Sequence, residues 1–176
     1  MTSPQRADPV GERIHQAALD LLRARGPRAV TMQAITDATG IAKTTLYRRH
    51  PHRRALLAAA LEQLALDPSM PASADLTERA RWAVTHSIEV LTHGIGVGGF
   101  AALLTDEDPD FSDAFRTILA ARRAHMIEVL GCDEAEGQTL IDIIVGSYVA
   151  ELARTATIDD SWSERLTAVV ERLLPR

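Results

Sequence analysis

Apolar residues recur at three- and four-residue intervals along most of the chain, and proline, glycine and small polar residues cut that pattern into segments. Asp8-Pro9 pairs a capping carboxylate with a first-turn proline, and Val10, Ile14, Ala17, Ala18, Leu21 and Leu22 follow with helical spacing, so a first helix is predicted up to about Gly26. Thr31 is placed to cap a second helix over about 32–39. Val30 and Ile35 sit as the two halves of a hydrophobic staple, and Gly40 suits the left-handed position beyond the end. A third helix over about 43–49 must stop at His50-Pro51, because proline lacks the amide donor and disfavours helical geometry before it. A fourth runs from about 53 to 65.

Asp67-Pro68-Ser69-Met70-Pro71-Ala72-Ser73 has two prolines and no periodicity, which marks a linker. Beyond it, Ala80, Val84, Ile88 and Leu91 share one helical stripe; Phe111, Phe115, Ile118, Leu119 and Met126 mark another behind Asp108-Pro109. Asp133 and Glu136 begin a helix over about 133–154, and a last helix covers about 160–173. The resulting fold class is all-α. It divides into a leader over 1–8, a three-helix head with a helix-turn-helix within 9–66, a linker over 67–75, and a helical body over 76–176.

Composition supports helices over strands. Hydrophobic residues make up 46% of the 176 residues but aromatics only 4%, with Ala and Leu prominent. Net charge is −5, which alone argues against a nucleic-acid partner, yet the distribution says otherwise: residues 1–65 carry +5 and the remainder −10. No run approaches the roughly eighteen apolar residues that a membrane span needs, and the polar start lacks a signal-peptide core, so the expectation is a cytoplasmic protein with no membrane partner. Cys132 is the single cysteine, which excludes an internal disulfide and multi-cysteine zinc sites.

The chemistry concentrates around the third helix. Two short helices separated by a glycine turn have the dimensions of a helix-turn-helix, and Lys43, Thr44, Thr45, Tyr47, Arg48, Arg49, His50, Arg53 and Arg54 crowd donors and cations around the second of them. Phosphates take cations and hydroxyls, whereas base edges need side chains projecting from the helix in the groove. A solvated basic face on a structural helical hairpin is the competing reading of the same residues.

Three stretches, Thr31-Met32-Gln33-Ala34-Ile35, Gly40-Ile41-Ala42-Lys43-Thr44-Thr45-Leu46-Tyr47 and His50-Pro51-His52-Arg53-Arg54-Ala55-Leu56-Leu57, make the chain resemble the TetR family of transcriptional regulators over roughly 10–57. The resemblance implies about nine helices, a homodimer, a double-stranded operator as partner and repression released by a small-molecule effector. It implies DNA contacts from Thr31, Gln33, Lys43, Thr44, Thr45, Tyr47, Arg48, Arg49, His50 and Arg53. Within that set Thr31 caps its helix and touches phosphate, Tyr47 meets the backbone, and Arg53 takes the place of a phosphate-binding lysine. Ala42 departs from the family's usual serine and leaves the third helix without a side-chain cap. Thr44 stands where a small residue is usual, and His50 where an aromatic is common, so that His50 either packs as a phenylalanine would or reaches phosphate.

An effector cavity would draw on Trp82, His86, Phe100, Phe115, Met126 and Tyr148, each of which also suits ordinary core packing. A four-helix dimer interface would use Leu140, Ile144, Tyr148, Leu152, Trp162, Leu166 and Val169. Gly94-Ile95-Gly96-Val97-Gly98-Gly99 reads as a flexible interhelical hinge, since it lacks the strand before and the lysine after that a phosphate loop needs. Asp106–Asp110 lacks the glycine and glutamate spacing of a calcium loop. No cofactor, metal or catalytic residue is expected. His86, His93 and His125 leave a metal or hydrolytic site conceivable, and a dimeric scaffold without DNA binding is the other alternative.

Overall fold

The computed structural model describes residues 8–65, Met70 and 73–174. The leader and most of the linker lie outside those residues. Nine α-helices and no strands occur among them: α1 (Pro9–Arg25), α2 (Met32–Thr39), α3 (Lys43–Arg49), α4 (Arg53–Glu62), α5 (Leu76–Glu89), α6 (Gly96–Leu104), α7 (Pro109–Leu130), α8 (Glu134–Thr155) and α9 (Asp160–Leu173).

The helix boundaries have local causes. Asp8 accepts the Gly11 amide to open α1, Thr31 accepts the Ala34 amide to open α2, and Gly40 closes α2 at φ 70°. Asp75 and Glu78 form a reciprocal capping box at α5, and Asp133 and Asp159 cap α8 and α9 in the same one-sided way as Thr31. His52 caps α4 through Nδ1, which accepts the Ala55 amide at 3.2 Å. Ala42 offers α3 no side-chain cap, as its methyl group requires.

The chain forms two compact units, each with its own core. The first combines the residues up to Leu66 with Gly94–Ile118, so α6 and the start of α7 pack with the N-terminal helices rather than with the rest of the body expected over 76–176. Here α1 packs on α2, α4 and α6. Ile14, Leu22, Ile35, Leu46, Leu56, Leu61, Phe111 and Phe115 are fully buried in it. Each such side chain stabilises the unit by about 1.5–3 kcal/mol relative to exposure. Ala38 of α2 faces solvent, while Ile41 in the turn is buried.

The second unit combines Asp67–His93 with Leu119–Arg176. Within it α5 packs on α8 and α9. Trp82 and Val145 lean on a cluster of Met126, Ile127 and Ile141, and Tyr148 meets Trp162 edge-on at 6.2 Å between ring centroids.

The glycine run is not the loose hinge its composition suggests. Val90–Ile95 form a π-helical turn that leads directly into α6, and a side chain at Gly99 would meet the Ile95 side chain at 2.9 Å. Small size, not flexibility, is what Gly99 supplies. The continuous stretch Leu76–Leu104 has a mean hydropathy of 1.4 over its most apolar window and is long and apolar enough by composition to cross a membrane, contrary to the sequence expectation. Within that window 44% is buried inside the protein.

Candidate nucleic-acid interface

The two short helices α2 and α3 are held by few anchors. Leu46 is the one buried residue of α3 and Ile35 the one buried residue of α2. Everything else on α3 is therefore available to the outside or half so. Lys43, Thr44, Tyr47 and Arg48 are exposed, Tyr47 retaining 49% of its surface although it neighbours a fully buried leucine. None of these four side chains has a hydrogen bond or ion pair among the described residues. Thr45 is half-buried.

Other members of the predicted DNA-binding set are already engaged. Arg49 pairs with Asp8, which also caps α1; the Gly11 amide and the Arg49 guanidinium hold that carboxyl below the usual carboxylate range. Gln33 donates along its own helix to Asp37 at 2.6 Å. Thr31 is exposed and serves as the cap of α2.

His50 corrects the expectation of a DNA contact, because it is buried at 8% exposure and meets His15 of α1 edge-on, ring centroids 5.2 Å apart. Burial, the neighbouring ring and Arg49 together push its pKa down. His15 is also held below its ordinary value, mainly by burial and against the pull of Asp8 and Glu62, and its Nε2 is buried without a hydrogen-bond partner. The pair therefore packs as two neutral rings between α1 and the end of α3.

Arg53 is the largest departure. Its Nε donates to the Val30 carbonyl at 2.7 Å, one terminal nitrogen donates to the Pro27 carbonyl at 2.7 Å, and both terminal nitrogens reach the Asp108 carboxylate. Asp108 also accepts the Phe111 amide at the start of α7, at 3.2 Å. Burial alone raises the Asp108 pKa, but the hydrogen bonds from Arg53 and Phe111 outweigh it and leave the carboxyl below its ordinary value. Nothing local in the sequence announces this bond, which spans 55 positions.

The predicted effector residues divide between the units. Phe100 and Phe115 belong to the first, where Phe115 stacks on Phe111 and is fully buried. Trp82, His86, Met126 and Tyr148 belong to the second. Trp82 and His86 meet at 4.8 Å between ring centroids, and the Trp82 indole N–H is buried without a partner, as is the Ser87 hydroxyl. A groove of about 420 Å³ lies between α5 and α9, lined by Thr77, Arg81, Thr85, Asp160, Glu164 and Glu171 among others, and none of the six predicted residues lines it.

The dimer stripe also needs correcting. Leu140, Ile144, Tyr148, Trp162 and Leu166 are buried within the protomer, where α8 and α9 pack on each other and on α5, and Leu152 is half-buried. Of that set only Val169 faces out. The apolar surface that α8 and α9 leave exposed is Ile143, Val169 and Leu173. Among the described residues, no three His, Cys, Asp or Glu side chains are grouped so as to hold a metal ion.

Two short helices joined by a glycine turn, the second exposing Lys43, Thr44, Tyr47 and Arg48 without an internal partner, have the arrangement of a helix-turn-helix. Residues 14–60 match the profile of bacterial regulatory proteins of the tetR family. That match covers the N-terminal helices alone, so over these residues the chain is similar to the DNA-binding region of TetR-family regulators. Solved structures carry the same fold along almost the whole length. A TetR transcriptional regulator from Agrobacterium tumefaciens is similar with a TM-score of 0.67 at 19% identity, over 94% of this chain and 92% of that one. One from Legionella pneumophila gives 0.67 at 15% identity, over 97% and 100%. The multidrug binding protein EbrR, complexed with imidazole, gives 0.66 at 19% identity, over 99% and 97%. No curated protein matches the sequence.

Proposed function

We propose that this chain is a transcriptional regulator of the TetR family, a cytoplasmic repressor that binds a palindromic operator as a homodimer and releases it when a small molecule occupies the second unit. The observation that carries the DNA half of this reading is the unpartnered face of α3, where Lys43, Thr44, Tyr47 and Arg48 project together. Lys43 and Arg48 neutralise phosphates, Tyr47 packs on the backbone with its hydroxyl toward a phosphate oxygen, and Thr44 with Thr45 faces the base edges. Thr31 adds a phosphate contact from the start of α2, and Gln33 reaches the backbone once it leaves Asp37.

Dimerisation falls to the outward face of α8 and α9. Ile143, Val169 and Leu173 are large apolar groups exposed on adjacent helices, beside a groove of about 380 Å³ lined by Cys132, Thr139, Leu140 and Leu173, and a second copy would cover all three isologously. Two copies present two α3 helices, and these enter major grooves on one face of the duplex only when held one helical turn, about 34–36 Å, or a multiple of it apart. An effector that favours another separation lowers affinity by its own preference between the two states, about 1–3 kcal/mol. For the effector, Trp82, His86 and Met126 are the favoured contacts, since the orphaned indole N–H and Ser87 hydroxyl offer a polar group hydrogen bonds that the protein itself leaves unmade. The imidazole complex of EbrR supports a small-molecule site in this fold.

Selection of duplexes from a random-sequence pool tests the reading directly. The expected result is a two-fold symmetric site whose affinity falls steeply with salt as counterions return to the DNA. A chain that stays monomeric and enriches no duplex at low ionic strength would refute it.

A further inference from the structure

We propose that Arg53 and Asp108 are a positioning pair for the recognition helix, and that neither touches DNA. The inference rests on the DNA-binding reading above but concerns residues that reading does not need.

Arg53 stands immediately after the helix-turn-helix, as the first residue of α4, while Pro27 and Val30 stand immediately before it. By donating to the carbonyls of both, its guanidinium closes the loop that contains α2 and α3 as a buckle closes a strap. Asp108 seats the buckle. It is 7% exposed at its side chain, against 25% for Arg53, and its two oxygens take both terminal nitrogens of the arginine. Of five N–H donors, four are committed in directions fixed by the planar group.

A phosphate could recruit this guanidinium only by stripping hydrogen bonds from two backbone carbonyls and uncovering a nearly buried carboxylate. Both losses are costly. Lys43 and Arg48, exposed on α3 without an internal partner, face no such competition, so phosphate contact is theirs. What the pair contributes is angle: Leu46 is the one buried residue of α3, Ile41 and His50 are buried at its two flanks, and fixing both ends of the loop adds the constraint on direction that these few anchors leave open.

The two roles make opposite predictions for Asp108. Removing a negative charge near bound DNA should tighten binding or leave it unchanged if electrostatics is all that matters. Loss of a positioning partner should weaken it. The experiment compares wild type with Asp108→Asn, Asp108→Glu and Arg53→Lys on the duplex that wild type selects from a random pool, across a range of salt concentrations. Asn caps a helix as well as Asp does, so Asp108→Asn leaves the start of α7 intact while removing the charge.

We expect Asp108→Asn and Arg53→Lys each to weaken binding about tenfold or more with the slope of log K against log salt unchanged, and Asp108→Glu to recover much of that loss. If Arg53→Lys binds like wild type, or Asp108→Asn binds as well or better, the pair is not a positioning device. A DNA-free measurement separates this from the reading beneath it. Amide exchange over residues 31–52 should rise in Asp108→Asn and Arg53→Lys while the second unit keeps its protection. Unchanged exchange there would overturn the positioning role whether or not any duplex binds, whereas failure of wild type to select DNA would overturn only the function.

Discussion

The arginines at the end of α3 and the start of α4 look alike in the sequence and do different work. Arg48 projects into solvent with nothing to hold it, while Arg49 is tied to Asp8 and Arg53 to two carbonyls and Asp108. Arg13 donates to the Thr39 carbonyl at 2.8 Å, and Arg28 to the Glu107 carbonyl at 2.9 Å. A basic head is thus two populations, one whose donors are free for a partner and one whose donors are taken up inside the head. On the proposed reading, the free donors are the ones that meet DNA.

The sharpest way to break that division is to remove what both populations stand on. Leu46 is fully buried and is the sole apolar anchor of α3, so Leu46→Ala should cost about 2–5 kcal/mol and abolish binding by unfolding the head. Thermal melts by circular dichroism would show it. Binding that survives with a destabilised head would mean that α3 is held by something other than Leu46.

Lys43→Gln and Arg48→Gln come next. Each should weaken binding severalfold and lower the salt slope by about 0.9, with the melting curve in place, because each removes one phosphate contact and nothing internal. An unchanged slope in both would move the interface away from α3. Tyr47→Ala belongs with them, except that it should lower affinity without touching the slope.

What the sequence allowed here follows the reach of each interaction. Helices α2 and α3 were legible to the residue because their ends are set locally, by Thr31, Gly40 and Pro51. The brace was not legible, since Arg53 finds Asp108 across 55 positions and no periodicity reports such a meeting. The misassigned dimer stripe has a related cause: spacing shows that Leu140, Ile144 and Tyr148 share a face of α8, but which partner covers that face is decided by α5 and α9. His52 escaped notice as the cap of α4 because its ring nitrogen does what Ser, Thr, Asp or Asn usually does.

The histidine pair tests the bracing population from another direction. Both His15 and His50 have pKa values lowered from 6.5, so the unfolded head takes up protons more readily than the folded one. The stability that neutral packing supplies is complete above pH 6.5 and is lost as pH falls below it toward the folded values. Glu62 and Asp8 pull the other way on His15 and moderate the effect. Acidification from about pH 7.5 to 5.5 should therefore lower the head's melting temperature, and His50→Phe should flatten that dependence. An equally steep profile in the variant would show that the pair is not the titrating element.

The smallest effect concerns the one helix end that the sequence leaves unfinished. Ala42 precedes α3 with φ −59° and ψ 138°, and its methyl cannot accept an amide hydrogen bond from the first turn. Ala42 is exposed, so Ala42→Ser adds a hydroxyl without displacing anything. The new oxygen would accept from the amide of Thr44 or Thr45, stabilising the head by about 1 kcal/mol and raising its melting temperature by a few degrees. Because the hydroxyl is neutral, the salt slope should not move. Tighter binding with that slope would mean that freedom in α3, not shortage of charge, limits affinity, and that the braces at Arg49 and Arg53 leave some of that freedom in place. No change in melting temperature would mean that solvent already satisfies the first turn as well as a serine would.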